Sequence, residues 1–245
     1  MKYMKRSSNL NVLLVGASNS GKTSFVRTLA AAEVESEGEM AEHQISVNNS
    51  AIKIYDCRGY GREQDMQEKF ASIDVFVRDG NKSFLQEEIK IERDPHFEDK
   101  RIHLMVLFSS PAYKGMKDHD ITLLRMMNTK VNTLVVIPKC DYYTKEELGL
   151  QKRKIIDLLK SNNIDTFGVE EHEDATVYAL FSAEKKMIDG ALYAGRELPC
   201  GTAKVENSEH SDYLEFLKIL EHSREDLVGI THTHFYEKYR TAMLK

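Results

Sequence analysis

The stretch from Asn11 to Thr28, NVLLVGASNSGKTSFVRT, constrains this chain more than any other. Asn11 to Val15 is a short apolar run of the kind that forms a parallel strand buried on both faces, and Ser24 to Ala32 can continue as a helix. Between them Gly16, four residues, and then Gly21-Lys22-Thr23 fit the spacing G-x-x-x-x-G-K-[ST]. Such a loop turns its backbone N–H groups inward around a β/γ-phosphate, and the helix that follows adds its positive end. Each residue type has a task. Gly16 and Gly21 permit positive φ and close backbone approach, Lys22 brings a point charge, and Thr23 offers a hydroxyl to Mg²⁺; Ser20 and Ser24, beside them in the same stretch, are nucleotide-binding candidates. A glycine-serine turn is the bland alternative, and the strand-loop-helix context decides against it.

With 245 residues, 41% of them hydrophobic, the chain can bury one sizeable core, which favours a single domain. A formal net charge of -5 gives no overall attraction to nucleic acid, and none is expected as a partner. Cys57, Cys140 and Cys200 lie far apart without C-x-x-C spacing, so neither a zinc site nor a disulfide framework is indicated, and a cytoplasmic setting fits. The N-terminus has no apolar signal core, and no stretch approaches the length of a membrane span.

Apolar runs recur at Asn11–Val15, Ala51–Tyr55, His103–Phe108, Thr133–Ile137 and Thr176–Phe181, mostly separated by charged or helical-period segments. That alternation predicts a three-layer α/β fold on a parallel sheet. Gln44 to Val47 alternates weakly and suits an antiparallel edge strand beside Ala51–Tyr55, while acidic Glu33 to His43 lacks apolar periodicity and reads as a switch loop. A capping box, Thr144 with Glu147, opens a helix that puts Leu148, Ile155, Ile156 and Leu159 on one face and leaves Lys152-Arg153-Lys154 to solvent. Tyr213, Phe216, Leu217 and Leu220 share helical spacing and read as core or partner-facing; His232 and His234 read as surface or helix-start residues rather than ligands.

Two further motifs complete a constellation. After the run ending at Tyr55 comes Asp56-Cys57-Arg58-Gly59, a D-x-x-G in which Asp56 can hold Mg²⁺ through water and Gly59 can give its N–H to a γ-phosphate. After Ile137 comes Pro138-Lys139-Cys140-Asp141, which resembles the [N/A]-K-x-D guanine-recognition motif of GTPases. There the Asp141 carboxylate would accept from guanine N1–H and N2–H₂, which adenine cannot supply, while the Lys139 stem packs over the base. Phe181-Ser182-Ala183 sits where GTPases place a backbone N–H near guanine O6, so Ser182 joins the set.

The stretch Ile102–Asp120, IHLMVLFSSPAYKGMKDHD, is similar to the septin segment that runs strand, S-P, then G-x-G-[LM]-K-x-x-D. Asn81–Asp94 with Lys100–His103, Gly195 to Gly201 (GRELPCG), Val205 to Asp212 (VENSEHSD), and the ending Asp226-Leu227 to Thr231 with Tyr236 to Arg240 (YEKYR) also resemble septin motifs in order. The resemblance covers nearly the whole chain and is poorest in the switch loop. It implies a septin-type G domain over residues 11–245, divided into a GTPase core, 11–183, and a septin-like extension, 184–245, after a short basic arm, 1–10. It implies GTP/GDP and Mg²⁺ as cofactors, and Arg196 covering the guanine face. It further implies a filament-forming cytoskeletal subunit active in cell division, meeting other septin-type subunits through its nucleotide face and through a terminal-helix face around Tyr236, Tyr239 and Arg240. Gly115, Arg196, Pro199 and Gly201 keep part of the nucleotide-face framework. Lys2, Lys5 and Arg6 stand where septins place a lipid-binding helix; at roughly 1 kcal/mol each they give only weak contact with an anionic membrane.

The departures are specific. Septin D-T-P-G is D-C-R-G here, the aromatic of P-W-G is Cys200, and Tyr113 and Lys114 replace the first two residues of G-H-G. No threonine occurs between Thr28 and Thr122, so only Ser36, Ser46 or Ser50 could replace a switch threonine, and Tyr60 stands where small GTPases carry glutamine. Slow or absent GTP hydrolysis is therefore expected. A monomeric signalling or processing GTPase, whose output is the nucleotide cycle rather than assembly, is the competing hypothesis.

Overall fold

The computed structural model describes residues 9–34, 37–47, 50–61, 66–113, 115–168, 177–188, 191–198 and 201–244. The expectations placed on Lys2, Lys5, Arg6, Ser36, Lys114, Thr176, Pro199 and Cys200 fall outside these residues.

In chain order come β1 (Leu10–Gly16), α1 (Lys22–Ala30), β2 (Met40–Val47), β3 (Ser50–Cys57), α2 (Met66–Glu88), β4 (Leu104–Phe108) and a two-residue ladder of β5 (Pro111–Ala112) with β6 (Gly115–Met116). Then follow α3 (Asp118–Met127), β7 (Asn132–Pro138), a 3₁₀ turn Cys140–Tyr142, α4 (Lys145–Ser161) and β8 (Val177–Leu180). The last part holds β9 (Lys185–Ile188), β10 (Ala191–Leu198), β11 (Gly201–Lys204), α5 (Tyr213–His222), α6 (Arg224–Ile230), a π-helical stretch Thr231–Tyr236 and α7 (Glu237–Met243).

The main sheet has the order β2-β3-β1-β4-β7-β8, parallel except for β2, which pairs antiparallel with β3 at the edge. Side chains of β1 alternate between two cores, as the pleat requires. Leu10, Val12 and Leu14 pack with Phe25 of α1 and Phe216 of α5, whereas Leu13 and Val15 pack with Ile73 of α2, Leu124 of α3 and Ile155 of α4. Helices on both faces of a parallel sheet make the three-layer α/β architecture expected from the alternation of runs. Phe25 fastens α1 into its layer, with ring centroids 5.6 Å from Phe108 and 5.5 Å from Phe216. The carboxyl ends of β1, β3, β7 and β8 all open on one edge, where crossover loops leave a crevice.

Several local expectations change. Met40 to His43 belong to β2 rather than to a loop, because the whole of Met40–Val47 pairs with β3 and buries Ala41, Ile45 and Val47. Ser46 and Ser50 lie at the far end of that hairpin, about 20 Å down the strands from Met40 and Cys57, so neither can replace a switch threonine. Lys152 is no free surface charge, since it pairs with Asp212 at 2.6 Å, and Lys154 donates to the Tyr113 carbonyl at 2.9 Å. His232 does not begin a helix; it sits within the π-helical stretch, stacked on Tyr236 at 5.6 Å. Tyr236 is fully buried against Phe84 and cannot present a face to a partner. The capping box of α4 forms in both directions, and Ile155, Ile156 and Leu159 are buried.

Candidate functional site

The loop from Gly16 to Gly21 is held open by backbone and by one side chain. Gly16 (φ 150°) passes so close to β4 that a Cβ there would lie 2.5 Å from the Phe108 carbonyl oxygen. Gly59 approaches the loop from β3, and its Cβ would meet Ser18 Cα at 2.5 Å. Ser18 closes this contact, its N–H donating to the Tyr60 carbonyl and its hydroxyl to the Gly59 carbonyl, both at 2.8 Å. A side chain at Gly59 would force the two loops apart, and one at Gly16 would push the phosphate loop off β4. Asn19 takes the left-handed conformation, φ 63°, that asparagine tolerates.

Lys22 is buried, and its ammonium donates to the Gly16 and Ala17 carbonyls at 3.0 Å and to Ser20 Oγ at 3.3 Å. All three acceptors are neutral. Burial pushes its pKa below the ordinary lysine value, while the Asp56 charge pulls it back up. A buried cation on neutral acceptors is an anion site in waiting. Beside it Thr23 Oγ1 donates to Asp56 Oδ2 at 2.5 Å. With its proton committed to Asp56, the hydroxyl oxygen keeps its lone pairs for a cation, which fits the hard oxygen donors Mg²⁺ requires.

A cavity of about 490 Å³ opens over these groups, walled by Lys22, Thr23, Asp56, Arg58 and Gly59. A second, of about 220 Å³, is walled by Ser20, Pro138, Lys139, Ser182 and Arg196. Asn19, Gly21 and Ser24 line both, so the two form one trough from Asp56 to Ser182. Its size suits a ligand of nucleotide dimensions. The Ser182-Ala183 turn is fixed to α1 by Thr28, whose hydroxyl donates to the Ala183 carbonyl at 3.1 Å and accepts from its N–H at 3.2 Å.

At the Ser182 end Lys139 adopts φ 55°, an uncommon left-handed conformation for a lysine, at the start of the 3₁₀ turn that delivers Asp141. The Asp141 side chain is fully buried. Its Oδ2 accepts from Arg196 Nη1 at 2.8 Å, and its Oδ1 has no hydrogen-bond partner among the described residues. A buried carboxylate oxygen without a donor is costly unless a ligand supplies one. That orphaned oxygen fits a base that offers N–H donors.

The residue after Gly59 has another fate. Tyr60 is turned into the core, its hydroxyl donating to Asp120 Oδ1 and its ring edge-on to Phe70 and His119 at 5.4 Å. Asp120 also accepts from the Ser110 N–H at 2.7 Å, and burial raises its pKa. Tyr60 therefore cannot position water at a phosphate.

Of the site residues singled out from sequence, Gly21, Lys22, Thr23, Ser24, Asp56 and Gly59 line the larger cavity and Ser20, Lys139, Ser182 and Arg196 the smaller one, while Gly16 and Asp141 stand behind the walls, Gly16 accepting from Lys22 and Asp141 from Arg196. Sequence reasoning missed Ser18, Asn19 and Thr28, which shape the walls. The left-handed preference of asparagine within a glycine-bounded loop was the available signal for Asn19.

A family model described as Septin matches residues 6–245. Among curated proteins the chain is 29% identical to Septin-8-A of Xenopus laevis over 262 residues, covering 96% of this chain and 61% of that relative. It is 27% identical to Cell division control protein 11 of Saccharomyces cerevisiae, covering 99% of this chain and 68% of that protein. The chain thus spans about three fifths of the length of the first curated relatives it matches. A crystal structure of a septin GTPase domain from Chlamydomonas reinhardtii superposes with a TM-score of 0.77 at 18% identity, covering 95% of this chain and 98% of that one, which shows the fold.

Proposed function

Because this chain belongs to the septin family, we propose that it binds GTP or GDP with Mg²⁺ in the trough and assembles with other septin-type subunits into cytoskeletal filaments serving cell division. The observation that carries the nucleotide half is the pairing of a buried ammonium on neutral acceptors at one end of the trough with a buried carboxylate, behind the Arg196 wall at the other, one of whose oxygens lacks a donor among the described residues. Lys22 neutralises the β/γ-phosphates, and the loop N–H groups orient them. Thr23 and Asp56 would hold Mg²⁺, whose charge would offset that of the phosphates. Asp141 accepts from guanine N1–H and N2–H₂, Arg196 leaves its ion pair to cover the base, and the Lys139 stem packs on the other side. Residues 11–183 act as the GTPase core and 184–245 as its extension.

Hydrolysis is slow or absent in this proposal, supported by the capture of Tyr60 by Asp120 and the position of Ser46 and Ser50 at the far end of the β2–β3 hairpin from Cys57. Assembly uses the nucleotide face, where Tyr113 is 91% exposed, and a second face on α7, where Tyr239 and Arg240 remain accessible but Tyr236 is not. Membrane contact is weak, and the location is cytoplasmic, in a septin ring or filament at the cell cortex.

Light scattering of the purified protein, combined with chromatographic identification of bound nucleotide, tests both halves. Guanine nucleotide in the protein and oligomers, alone or with septin partners, are expected. Equal affinity for ATP and GTP overturns guanine recognition. A nucleotide-loaded monomer at tens of micromolar that joins no septin mixture overturns the filament reading and leaves the monomeric GTPase.

A further inference from the structure

Arg58 has no task in the site as described so far. It stands at the end of β3, walls the larger cavity beside Lys22, Asp56 and Gly59, and lies at the end of the trough away from Asp141. Its backbone is tethered, the N–H donating to the Glu39 carbonyl at 2.9 Å. Its guanidinium, 63% exposed, pairs with Glu39 Oε1 at 3.3 Å. The other Glu39 oxygen accepts from Lys69 of α2, whose side chain is only 7% exposed. Lys69 is also the main reason the Glu39 carboxyl sits below the usual carboxylate range. Two cations thus share one acid.

The two are not equivalent. Lys69 is buried and would be left as an uncompensated charge without Glu39, whereas Arg58 is exposed and its pair with Glu39 costs little to break. Releasing Arg58 leaves Glu39 still neutralised by Lys69, and the tethered backbone need not move. A guanidinium presents a planar fork that matches two phosphate oxygens, a better match than an exposed carboxylate at 3.3 Å.

We propose that Arg58 is a γ-phosphate ligand held on standby by Glu39, and that it sets the preference of this site for nucleoside triphosphate over diphosphate. This rests on the nucleotide reading of the trough. A diphosphate leaves Arg58 on Glu39; a triphosphate draws the guanidinium off the carboxylate while the backbone tether between Arg58 and Glu39 stays in place. Binding energy then differs between the two nucleotides by what Arg58 contributes.

Calorimetric titration of nucleotide-free protein with GDP and with GTPγS, both with Mg²⁺, tests it in the parent, Arg58→Ala, Arg58→Lys and Glu39→Gln. Arg58→Ala is expected to weaken GTPγS about tenfold, equivalent to about 1.4 kcal/mol, and GDP less than about twofold. Arg58→Lys should fall between, and Glu39→Gln should raise the GTPγS-to-GDP affinity ratio by freeing the guanidinium. Because Glu39 also serves buried Lys69, the melting temperature of that variant is measured beside its affinities, and the exposed Arg58 variants carry the test if it is destabilised. If Arg58→Ala weakens both nucleotides equally, or neither, the inference is overturned while the nucleotide reading stands. A parent that binds neither nucleotide overturns both.

Discussion

The two ends of β1 are both polar and both buried, yet they are built to opposite plans. At the amino end Asn11 donates its backbone N–H to His103 Nδ1 at 2.9 Å and its side-chain amide to the Asp99 and Arg101 carbonyls at 2.8 Å. Asn132 donates to the His103 carbonyl at 2.8 Å, and Arg101 forks onto Asp99 while lying 3.5 Å over the Phe84 ring. Charge closes on charge there. The atoms there left without hydrogen-bond partners among the described residues, Asn11 Oδ1 and His103 Nε2, belong to neutral groups. At the carboxyl end Lys22 rests on neutral acceptors and an Asp141 oxygen has no donor. Buried polarity of itself therefore says little about function. What separates a clasp from a binding site is whether each buried charged group finds its partners within the chain or, like the Lys22 ammonium on neutral acceptors and the Asp141 carboxylate with one oxygen unmet, keeps binding capacity for a ligand.

The largest effect that can break this contrast is at Lys22. Lys22→Ala should weaken GTP and GDP about a thousandfold, the loss of roughly two charge-assisted hydrogen bonds worth about 4 kcal/mol together. The melting temperature of the nucleotide-free protein should hold or rise, because burial of the ammonium is a cost, visible in its lowered pKa. Calorimetry with both nucleotides and a thermal scan check the two halves. A fall in stability as large as the fall in affinity would make Lys22 a structural clasp like the amino end.

The amino end should answer to pH instead. Burial lowers the His103 pKa to about 4 from 6.5. Between those values the unfolded chain binds a proton that the folded chain refuses, so the stability is fully present above about pH 6.5 and is lost as pH falls towards 4. A loss of about 3 kcal/mol across that window is expected from urea unfolding. His103→Asn, which keeps an acceptor for Asn11, should flatten the window. An unchanged profile in that variant would assign the dependence to other groups.

At the base end the contrast predicts a change of specificity rather than of stability. Asp141→Asn should weaken GTP by about 2 kcal/mol, roughly thirtyfold, and improve binding of xanthosine triphosphate, since an amide can donate to the xanthine carbonyl. Competition between the two nucleotides reads it directly. Equal loss of both would mean that Asp141 holds the turn and does not read the base.

How far such features can be read from sequence depends on the distance over which they are encoded. The phosphate loop lies within nine residues of β1 and α1, so spacing alone displays it, and the runs that became β1, β3, β4, β7 and β8 were each legible to within one or two residues at their ends. The 23-residue helix α2 is harder, because Lys69, Asp74, Asn81 and Glu87 are buried on it and blur its apolar stripe. Met40–His43 escaped because Ala41 alone among its side chains is buried, on an edge strand that leaves the others partly or fully open to solvent. Contacts between distant segments were beyond local pattern altogether. Tyr60 meets Asp120 across 60 residues, and Asp141 meets Arg196 across 55. Only the septin resemblance pointed at Arg196, and nothing in the sequence showed that Tyr236 would be sealed in the core by Phe84.

The smallest effect sharpens the contrast most, because two terms oppose each other in it. Arg196 lies on Asp141 at 2.8 Å when no base is present, and its side chain is about one third exposed (34%), so the pair is partly screened. Arg196→Ala removes a guanidinium that would stack on guanine, which weakens binding. It also leaves Asp141 fully buried and without the cation hydrogen-bonded to it in the free protein, which raises the energy of the unliganded state and so strengthens binding. The terms are of similar size, so GTP affinity should shift by no more than about threefold, while the unfolding free energy of the nucleotide-free protein should drop by about 1 kcal/mol. In the Asp141→Asn background the compensating term disappears, and the same Arg196→Ala change should weaken xanthosine triphosphate by more than it weakens GTP in the parent. A double-mutant cycle on affinity and stability separates the terms. If Arg196→Ala instead costs as much in affinity as Lys22→Ala, the base end is no latch that the nucleotide opens, and Arg196 belongs with the phosphate-end residues whose whole effect falls on the bound state.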